Sequence, residues 1–203
     1  MKIICIGRNY VNHAKEMKSE VPVEPVFFMK PDTALLKDNQ PFYYPDFSKE
    51  IHHELEVVVK ISKPGKHIEE KFSHKYYDEI TVGIDFTARD LQEICKQKGL
   101  PWEKAKAFDG SAPIGKFIRK AELGKLDSID FSLTKNDSVV QKGNTQDMLF
   151  GIDKIIAFVS KFVTLKTGDL IFTGTPEGVA PVVIGDELTA YLNGIKVLNF
   201  QIK

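Results

Sequence analysis

The sequence has little of what several protein classes require. Its 203 residues include only two cysteines, Cys5 and Cys95, whose number and wide spacing fit neither a disulfide scaffold nor a cysteine-ligated metal site. Lysine plus arginine number 28, and aspartate plus glutamate also number 28, so the formal net charge is zero. A neutral chain has no general electrostatic attraction to nucleic acid or to an anionic membrane. We therefore expect neither as a partner.

Long apolar runs are also absent. No segment is long enough to cross a bilayer. The apolar part of residues 1–8 is too short for a signal peptide, and this stretch predicts a first β-strand instead. Together with the low cysteine content, these features predict a cytoplasmic protein.

The composition is that of a chain with a substantial core. Apolar residues make up 42% of the sequence, and 14 residues are phenylalanine. Because no repeat or long linker divides the chain, we predict one domain over residues 1–203. Helical spacing predicts helices over residues 10–17, 88–98 and 152–162. The predicted strands are more numerous: 2–6, 26–29, 41–44, 55–61, 79–87, 117–118, 130–134, 138–141, 170–173, 187–192 and 196–202. This balance favours a β-rich α+β fold.

Two carboxylates stand out in the apolar run of residues 51–59, which has the pattern of a single strand. Side chains alternate along a strand, so Glu54 and Glu56 project from the same face with their Cα atoms about 6–7 Å apart. Two such acids repel each other unless a positive charge lies between them. Mg²⁺, Mn²⁺ and Ca²⁺ all prefer oxygen ligands of this kind. The alternative is the solvated edge of an amphipathic strand.

A third acid, Asp85, lies alone in the apolar segment 82–86. A buried carboxylate is costly unless it is paired or binds a metal ion. With Glu54 and Glu56 it would form a three-carboxylate metal site that leaves positions open for water or substrate. The alternative for Asp85 is a partly exposed strand end.

Other polar residues have spacings that fit catalysis or binding. His13 and Glu16 are three residues apart on a predicted helix, where a glutamate could orient a histidine that acts as a general base. Arg89 and Gln92 have the same spacing and could present donors to a substrate carboxylate. By spacing alone, a solvated helix face is the better explanation of the His13–Glu16 pair, and basic residues on a helix such as Arg89 are usually just solvated. His52 and His53 are further candidate metal ligands, although a local hydrogen bond is the simpler interpretation for one of them.

Taken together, these segments closely resemble the fumarylacetoacetate hydrolase family, and within it the short acylpyruvases. The matching stretches occur in family order over nearly the whole chain: 7–10 with His13 and Glu16, Lys30-Pro31 with Thr33, 52–56, 85–92, 98–102, Lys106, 168–171 and 173–179. The resemblance implies the family's mixed β-sandwich roll, in a homodimer. It also implies that Glu54, Glu56 and Asp85 bind Mg²⁺ or Mn²⁺, with Ca²⁺ as an alternative occupant in crystals. The implied catalytic residues are His13, Glu16 and Lys106, and the implied substrate contacts are Arg8, Tyr10, Arg89, Gln92 and Thr175.

The activity implied by the resemblance is metal-dependent hydrolysis of a C–C bond in acylpyruvate-like 2,4-dioxo acids, such as fumarylpyruvate or acetylpyruvate. The reaction would pass through a pyruvate enolate on the metal. The same enolate serves two alternatives: decarboxylation of oxaloacetate, and isomerisation, tautomerisation or hydration of unsaturated 2-oxo diacids. A non-enzymatic alternative is a module that only binds small acids. The His13–Glu16 pair favours hydrolysis, because a decarboxylase needs no water nucleophile.

Overall fold

The computed structural model describes residues 1–16 and 20–203, and the side chains of all of these except residues 14–16. Strands dominate the described residues. The strands are β1 Ile3–Gly7, β2 Val26–Lys30, β3 Leu35–Leu36, β4 Ile51–His53, β5 Leu55–Ile61, β6 Tyr77–Ile84, β7 Thr87–Ala88, β8 Ala112–Pro113, β9 Ile118–Arg119, β10 Asp130–Lys135, β11 Ser138–Asn144, β12 Leu170–Phe172, β13 Ala180–Pro181, β14 Glu187–Leu192 and β15 Ile195–Gln201. The α-helices are α1 Val11–Glu16, α2 Glu70–Ser73, α3 Arg89–Lys98, α4 Glu103–Lys106 and α5 Ile152–Phe162.

The strands form two larger and two smaller sheets. The six-stranded sheet has the order β2-β1-β12-β5-β6-β9, in which β1 and β12 are parallel and all other neighbours are antiparallel. An antiparallel four-stranded sheet has the order β11-β10-β14-β15. Strands β13, β4 and β7 form a third sheet, and β3 pairs with β8 in parallel. The predicted β-rich α+β fold is confirmed.

The six-stranded sheet is covered on both faces. Along its central strand β5, Val57 and Val59 belong to a large apolar cluster that also contains Leu133 of β10, while Val58 belongs to a smaller cluster on the opposite face. Successive side chains of a strand point to opposite faces, so a strand that is buried on both needs an unbroken apolar sequence. This explains the run of valines. Helix α5 packs its apolar side, including Ile155, into the larger cluster.

Most long elements lie where the sequence predicts them, and β5, β14 and α5 have the predicted bounds. The strand predicted over residues 41–44 is wrong, because only one isolated bridge forms there, between Phe42 and Ile202. The helix predicted over 10–17 begins at Val11 and is described as far as Glu16, while residue 17 lies outside the described residues. The short helices α2 and α4 have four residues each, too few to produce a helical pattern in the sequence.

The predicted single strand over residues 51–59 is two strands, and the break between them is at Glu54. Strand β4 belongs to the three-stranded sheet and β5 to the six-stranded sheet. The predicted strand over residues 79–87 is interrupted in the same way at Asp85 and Phe86, between β6 and β7. The two breaks lie side by side, because the Asp85 amide donates a hydrogen bond to the Glu54 carbonyl at 2.8 Å. Two of the three acids therefore occupy the seam between two sheets.

A buried asparagine next to β1 connects three distant segments. The Asn9 side-chain amide donates to the carbonyls of Phe150 and Thr173, at 3.0 and 2.7 Å, and its oxygen accepts the Phe150 amide at 2.8 Å. Asn9 is completely inaccessible to solvent. Buried polar groups are stable only when they are hydrogen-bonded, so this side chain satisfies several main-chain groups at once.

We expect Asn9→Ala to lower the free energy of unfolding by about 2–4 kcal/mol, since it leaves several buried main-chain groups without a partner. Urea denaturation followed by circular dichroism measures the change. Asn12→Ala is the matched control: Asn12 is exposed, so its loss should cost no more than about 0.5 kcal/mol. Equal losses for the two variants would contradict this role for Asn9.

Candidate active site

The three predicted acids converge at one cavity. Glu54, Glu56 and Asp85 are buried, and each offers a carboxylate oxygen within 4.8 Å of those of the other two. Other lining residues come from β1, the segment after it, β2, α3, α4 and the turn after β12: Ile6, Gly7, Arg8, His13, Phe28, Arg89, Gln92, Lys96, Trp102, Lys106 and Thr175. The cavity thus collects side chains from across the whole sequence.

Each acid is fixed by its backbone position. Glu54 and Asp85 stand at the two strand breaks, and Glu56 lies within β5. The carboxylate of Glu56 accepts the amide of Gly174 at 2.7 Å. Gly174 has φ +101°, and a Cβ at this position would lie 2.6 Å from the Cβ of Asn9. The Gly-Thr-Pro turn therefore needs glycine here, because any side chain would push away the amide that holds Glu56.

Lys106 of α4 lies among the acids. Its Nζ is 2.7 Å from carboxylate oxygens of both Glu54 and Asp85 and donates to the Thr87 hydroxyl at 2.6 Å. Burial alone would lower the pKa of Lys106, but the charges of Asp85 and Glu54 outweigh it and raise the pKa to about 12. In this arrangement the side chain is an ammonium ion, which offers positive charge and hydrogen bonds to the acids and to the cavity.

A second lysine, Lys30 at the end of β2, forms an ion pair with Asp85 but is not among the residues that line the cavity. Its Nζ is fully buried, 2.7 Å from Asp85 Oδ1. It also donates to the carbonyls of Phe86, Lys106 and Ser111 and to the Ser111 hydroxyl. The sequence contains Lys30 in a family motif, but nothing in its local pattern indicates that it is an internal cation.

The acids are unequally neutralised. Burial alone would raise the pKa of Glu54, but Lys106 and Arg89 more than offset it and hold this pKa far below its ordinary value. Burial, reinforced by the charges of Asp85 and Glu54, raises the pKa of Glu56 well above its ordinary value. Asp85 Oδ1 faces the Lys30 ammonium at 2.7 Å and Oδ2 faces Lys106 at 2.7 Å. Three buried carboxylates this close together, one of them with a raised pKa, fit a divalent cation bound between them.

Cations line the same cavity as the acids. Arg8 lines it with a left-handed backbone, φ +58°, which is uncommon for a residue other than glycine. The guanidinium of Arg89 donates to Glu54 and Gln92, both at 2.6 Å. Lys96 has a lowered pKa, first because it is partly buried and then because Arg89 is near. The cavity therefore offers both carboxylates and cations to a ligand.

The other predicted catalytic and substrate-binding residues do not all line the cavity. His13 and Thr175 line the cavity and are buried. Glu16 is the last residue of α1, and its side chain lies outside what the structure describes. Tyr10 is not among the lining residues, because its ring packs against Phe131 in the core.

Two histidines before Glu54 are not in the acid cluster. Burial lowers the pKa of His52 to about 4 and also lowers that of His53, so both rings are neutral at pH 7. His53 Nδ1 lies 2.9 Å from Oε1 of Gln141, a buried residue of β11. The predicted local hydrogen bond is therefore a contact with a distant strand. Gln141 and Lys30 are the residues that sequence reasoning missed, because both act through partners far away in the chain.

Comparison with known proteins identifies the class. The model of the fumarylacetoacetate (FAA) hydrolase C-terminal family matches residues 2–203, and the chain belongs to this family. The fold implied by the resemblance, the family's mixed β-sandwich roll, is confirmed by a solved fumarylacetoacetate hydrolase family protein from Yersinia pestis CO92. That structure has a TM-score of 0.95 and 47% identity, and the match covers 100% of this chain and 93% of that one.

Relatives with curated names are similar over nearly their whole length. Oxaloacetate tautomerase FAHD1, mitochondrial, from Mus musculus is 42% identical over 201 residues, which cover 99% of this chain and 91% of that protein. The mitochondrial oxaloacetate decarboxylase of Dictyostelium discoideum is 40% identical, with 96% and 89% covered. A solved fumarylpyruvate hydrolase from Pseudomonas aeruginosa, in complex with Mn²⁺ and pyruvate, has a TM-score of 0.94 and 33% identity, with 100% and 89% covered.

Both curated relatives have mitochondrial names, and the cytoplasmic location expected for this chain stays a prediction. In the described part of the chain, no helix has the length and apolar character that a membrane crossing requires.

We expect Lys30→Met to lower the free energy of unfolding by about 3–5 kcal/mol, since it removes one of the two cations that face Asp85 and leaves the buried groups bonded to Lys30 without a donor. Urea denaturation measures the loss. Lys71→Met is the matched control: Lys71 pairs with Glu69 at 2.8 Å, but both side chains are about two-thirds exposed, at 67% and 64%. An exposed pair of this kind contributes less than about 1 kcal/mol. A Lys30 variant as stable as the control would show that Asp85 does not need this partner.

Proposed function

We propose that the protein interconverts the enol and keto forms of oxaloacetate or a closely similar 2-oxo diacid, using a divalent cation held by Glu54, Glu56 and Asp85. The observation that carries the proposal is that three convergent carboxylates and several cations line one cavity. A 2-oxo diacid has two carboxylates, so a metal ion at the acids could bind one of them and the cations could bind the other. The carboxylate next to the 2-oxo group would bind the divalent cation together with the 2-oxo oxygen, and the other carboxylate would lie near Arg8 and Lys96.

The names of the curated relatives support oxaloacetate over the acylpyruvates that the sequence alone favoured. The donor set suits Mg²⁺ or Mn²⁺, which prefer carboxylate oxygens and leave positions open for substrate. When bound, such an ion acts as a Lewis acid that favours negative charge on the 2-oxo oxygen.

The chain's own residues then have distinct tasks. Conversion of the enol to the keto form removes the proton from the C2 hydroxyl and forms a C–H bond at C3. A histidine is suited to proton transfer near neutral pH, and His13 lines the cavity, so we assign it the proton at C3. Lys106, with its pKa of about 12, keeps its proton and contributes positive charge. Arg89 holds Glu54 in place and also lines the cavity, where its guanidinium could contact the substrate directly.

Two other reactions remain as second candidates, because they would use the same metal-binding acids and the same cavity. Decarboxylation breaks the C3–C4 bond of oxaloacetate, releases CO₂ and ends with a proton at C3. Hydrolysis of an acylpyruvate also breaks the C3–C4 bond, after water attacks C4, and His13 with Glu16 would activate that water. The likeness to fumarylpyruvate hydrolase supports hydrolysis, and the Dictyostelium discoideum relative supports decarboxylation. The homodimer and the single domain implied by the resemblance stay predictions.

We expect Glu56→Gln to weaken Mn²⁺ binding by at least about a hundredfold, since even an outer partner of a metal ligand contributes ten- to a hundredfold. Calorimetric titration of the purified protein without substrate measures the dissociation constant. Glu79→Gln is the matched control: Glu79 also lies in the six-stranded sheet, but it is partly exposed and pairs with Lys60. Unchanged Mn²⁺ affinity in Glu56→Gln would remove the proposed metal site.

We expect the protein to accelerate loss of the ultraviolet absorbance of enol oxaloacetate, and EDTA to abolish the acceleration. His13→Ala should slow this tautomerisation by about two to four orders of magnitude, the usual contribution of a general acid or base. Pyruvate release from oxaloacetate and cleavage of acetylpyruvate, measured on the same samples, give the rates of the two rival reactions. If the wild-type kcat/KM is highest for acetylpyruvate, hydrolysis and not tautomerisation is the main activity of the protein.

A further inference from the structure

A buried glutamine from the other large sheet reaches the active-site turn. Gln141 lies in β11 of the four-stranded sheet and is 2% exposed. Its side-chain amide makes four hydrogen bonds, with no contact to the acids themselves. Oxygen Oε1 is 2.9 Å from both the Leu55 amide and His53 Nδ1, and nitrogen Nε2 is 2.9 Å from Thr175 Oγ1 and 3.1 Å from the Pro176 carbonyl.

The orientation of this amide is determined by its main-chain partners. The Leu55 N–H is only a donor, so the atom that faces it must be the Gln141 oxygen. The Pro176 carbonyl is only an acceptor, so the atom that faces it must be the Gln141 nitrogen. Because an amide oxygen cannot donate, His53 Nδ1 must carry the proton of that ring. A flipped amide would place the Gln141 nitrogen against the Leu55 N–H and the Gln141 oxygen against the Pro176 carbonyl, so neither hydrogen bond could form.

This orientation determines the role of Thr175. The Thr175 oxygen accepts a hydrogen bond from Gln141 Nε2, which leaves the hydroxyl hydrogen free to be donated to another acceptor. The Pro176 carbonyl is 3.4 Å from Thr175 Oγ1, which is long for an O–H···O bond, so it competes only weakly with an acceptor in the cavity. Thr175 lines the cavity together with Glu54, Glu56 and Asp85.

We propose that Gln141 is a positioning residue that makes the Thr175 hydroxyl a hydrogen-bond donor directed into the cavity, toward an oxygen of the bound 2-oxo acid. The inference rests on the proposed function for the identity of that ligand. Gln141 has a second effect at the same place, because Leu55 stands between Glu54 and Glu56 in the sequence. One neutral side chain thereby connects the segment 54–56, which supplies two acids, to the turn that supplies the hydroxyl.

A double-mutant cycle on Gln141 and Thr175 tests the proposal. Gln141→Met removes the amide and keeps the approximate length of the side chain, and Thr175→Val removes the hydroxyl and keeps its shape. We expect each single variant to lower kcat/KM for oxaloacetate tautomerisation about ten- to a hundredfold, the range for a hydrogen bond to a charged group. If Gln141 acts through Thr175, the double variant should be no slower than the slower single variant. Losses that multiply would overturn the proposal.

Gln146→Met is the matched control, since Gln146 is exposed in the short turn that follows the same strand, and this variant should retain full activity. If Gln141→Met does not fold, Gln141→Glu takes its place in the cycle, because it keeps an acceptor for Leu55 and removes the amide donor. A Gln141→Glu variant with wild-type kcat/KM would also overturn the proposal.

Two further measurements separate this inference from the proposed function. The same cycle can be run on the affinity of the Mn²⁺-loaded protein for pyruvate, measured by calorimetry. If the wild type binds pyruvate but does not turn over oxaloacetate, the proposed function fails while the cycle still tests Gln141. Long-range ¹⁵N–¹H NMR of the protein without ligand reports the His53 tautomer. A proton on Nδ1 supports the amide orientation, and a proton on Nε2 would overturn it.

Discussion

Mutual repulsion among three buried carboxylates is the constraint on which the rest of this structure depends. Placing Glu54, Glu56 and Asp85 within a few ångströms of one another and away from water is unfavourable unless positive charge is placed with them. The fold supplies two fully buried lysines, Lys30 and Lys106, on opposite sides of Asp85. These cations do not neutralise Glu56, whose raised pKa is the remaining electrostatic cost. A bound divalent cation would remove that cost, which is why the cluster is better understood as a binding site than as a structural ion-pair network.

The sheet architecture makes this concentration of charge compatible with a stable core. A carboxylate in the middle of a fully paired strand would face apolar neighbours on either side of the sheet. Glu54 and Asp85 instead occupy the two residues at which the chain leaves one sheet for another, and they are connected by a main-chain hydrogen bond. Regular pairing ends there, so the side chains can turn toward a common cavity while Leu55 and Ile84 on either side stay in the core. The breaks in the pairing give Glu54 and Asp85 their place, while Glu56 lies within β5 and is held by the Gly174 amide.

The sequence predicted the parts of this arrangement that depend on local pattern. Strand β5 and helix α5 follow from apolar periodicity, and the three acids follow from their contrast with the apolar residues around them. The break at Glu54 could not be predicted, because the alternation of residues 51–59 continues across it and the break is set by pairing with β6, β7 and β13. The roles of Lys30 and Gln141 depend on partners that are distant in sequence. Tyr10 stands in the matching motif, but its ring is directed into the core, since a shared motif does not fix the direction of each side chain.

The two buried lysines and Gln141 hold the site together in different ways, and the difference bears on which reaction the site carries out. The lysines act on the acids through charge, and any reaction that uses a cation at Glu54, Glu56 and Asp85 needs them equally. Gln141 acts through the direction of neutral hydrogen bonds, and in the proposed function Arg8 and Lys96 would contact the far end of the ligand. Tautomerisation, decarboxylation and acylpyruvate cleavage would share the cation and diverge at C3 and C4 of the substrate. The groups that distinguish these reactions are therefore those that meet C3, C4 and the far end of the substrate. Arg8 and Lys96 line the cavity, and two cations favour a substrate whose far end is a carboxylate over one whose far end is an uncharged acyl group.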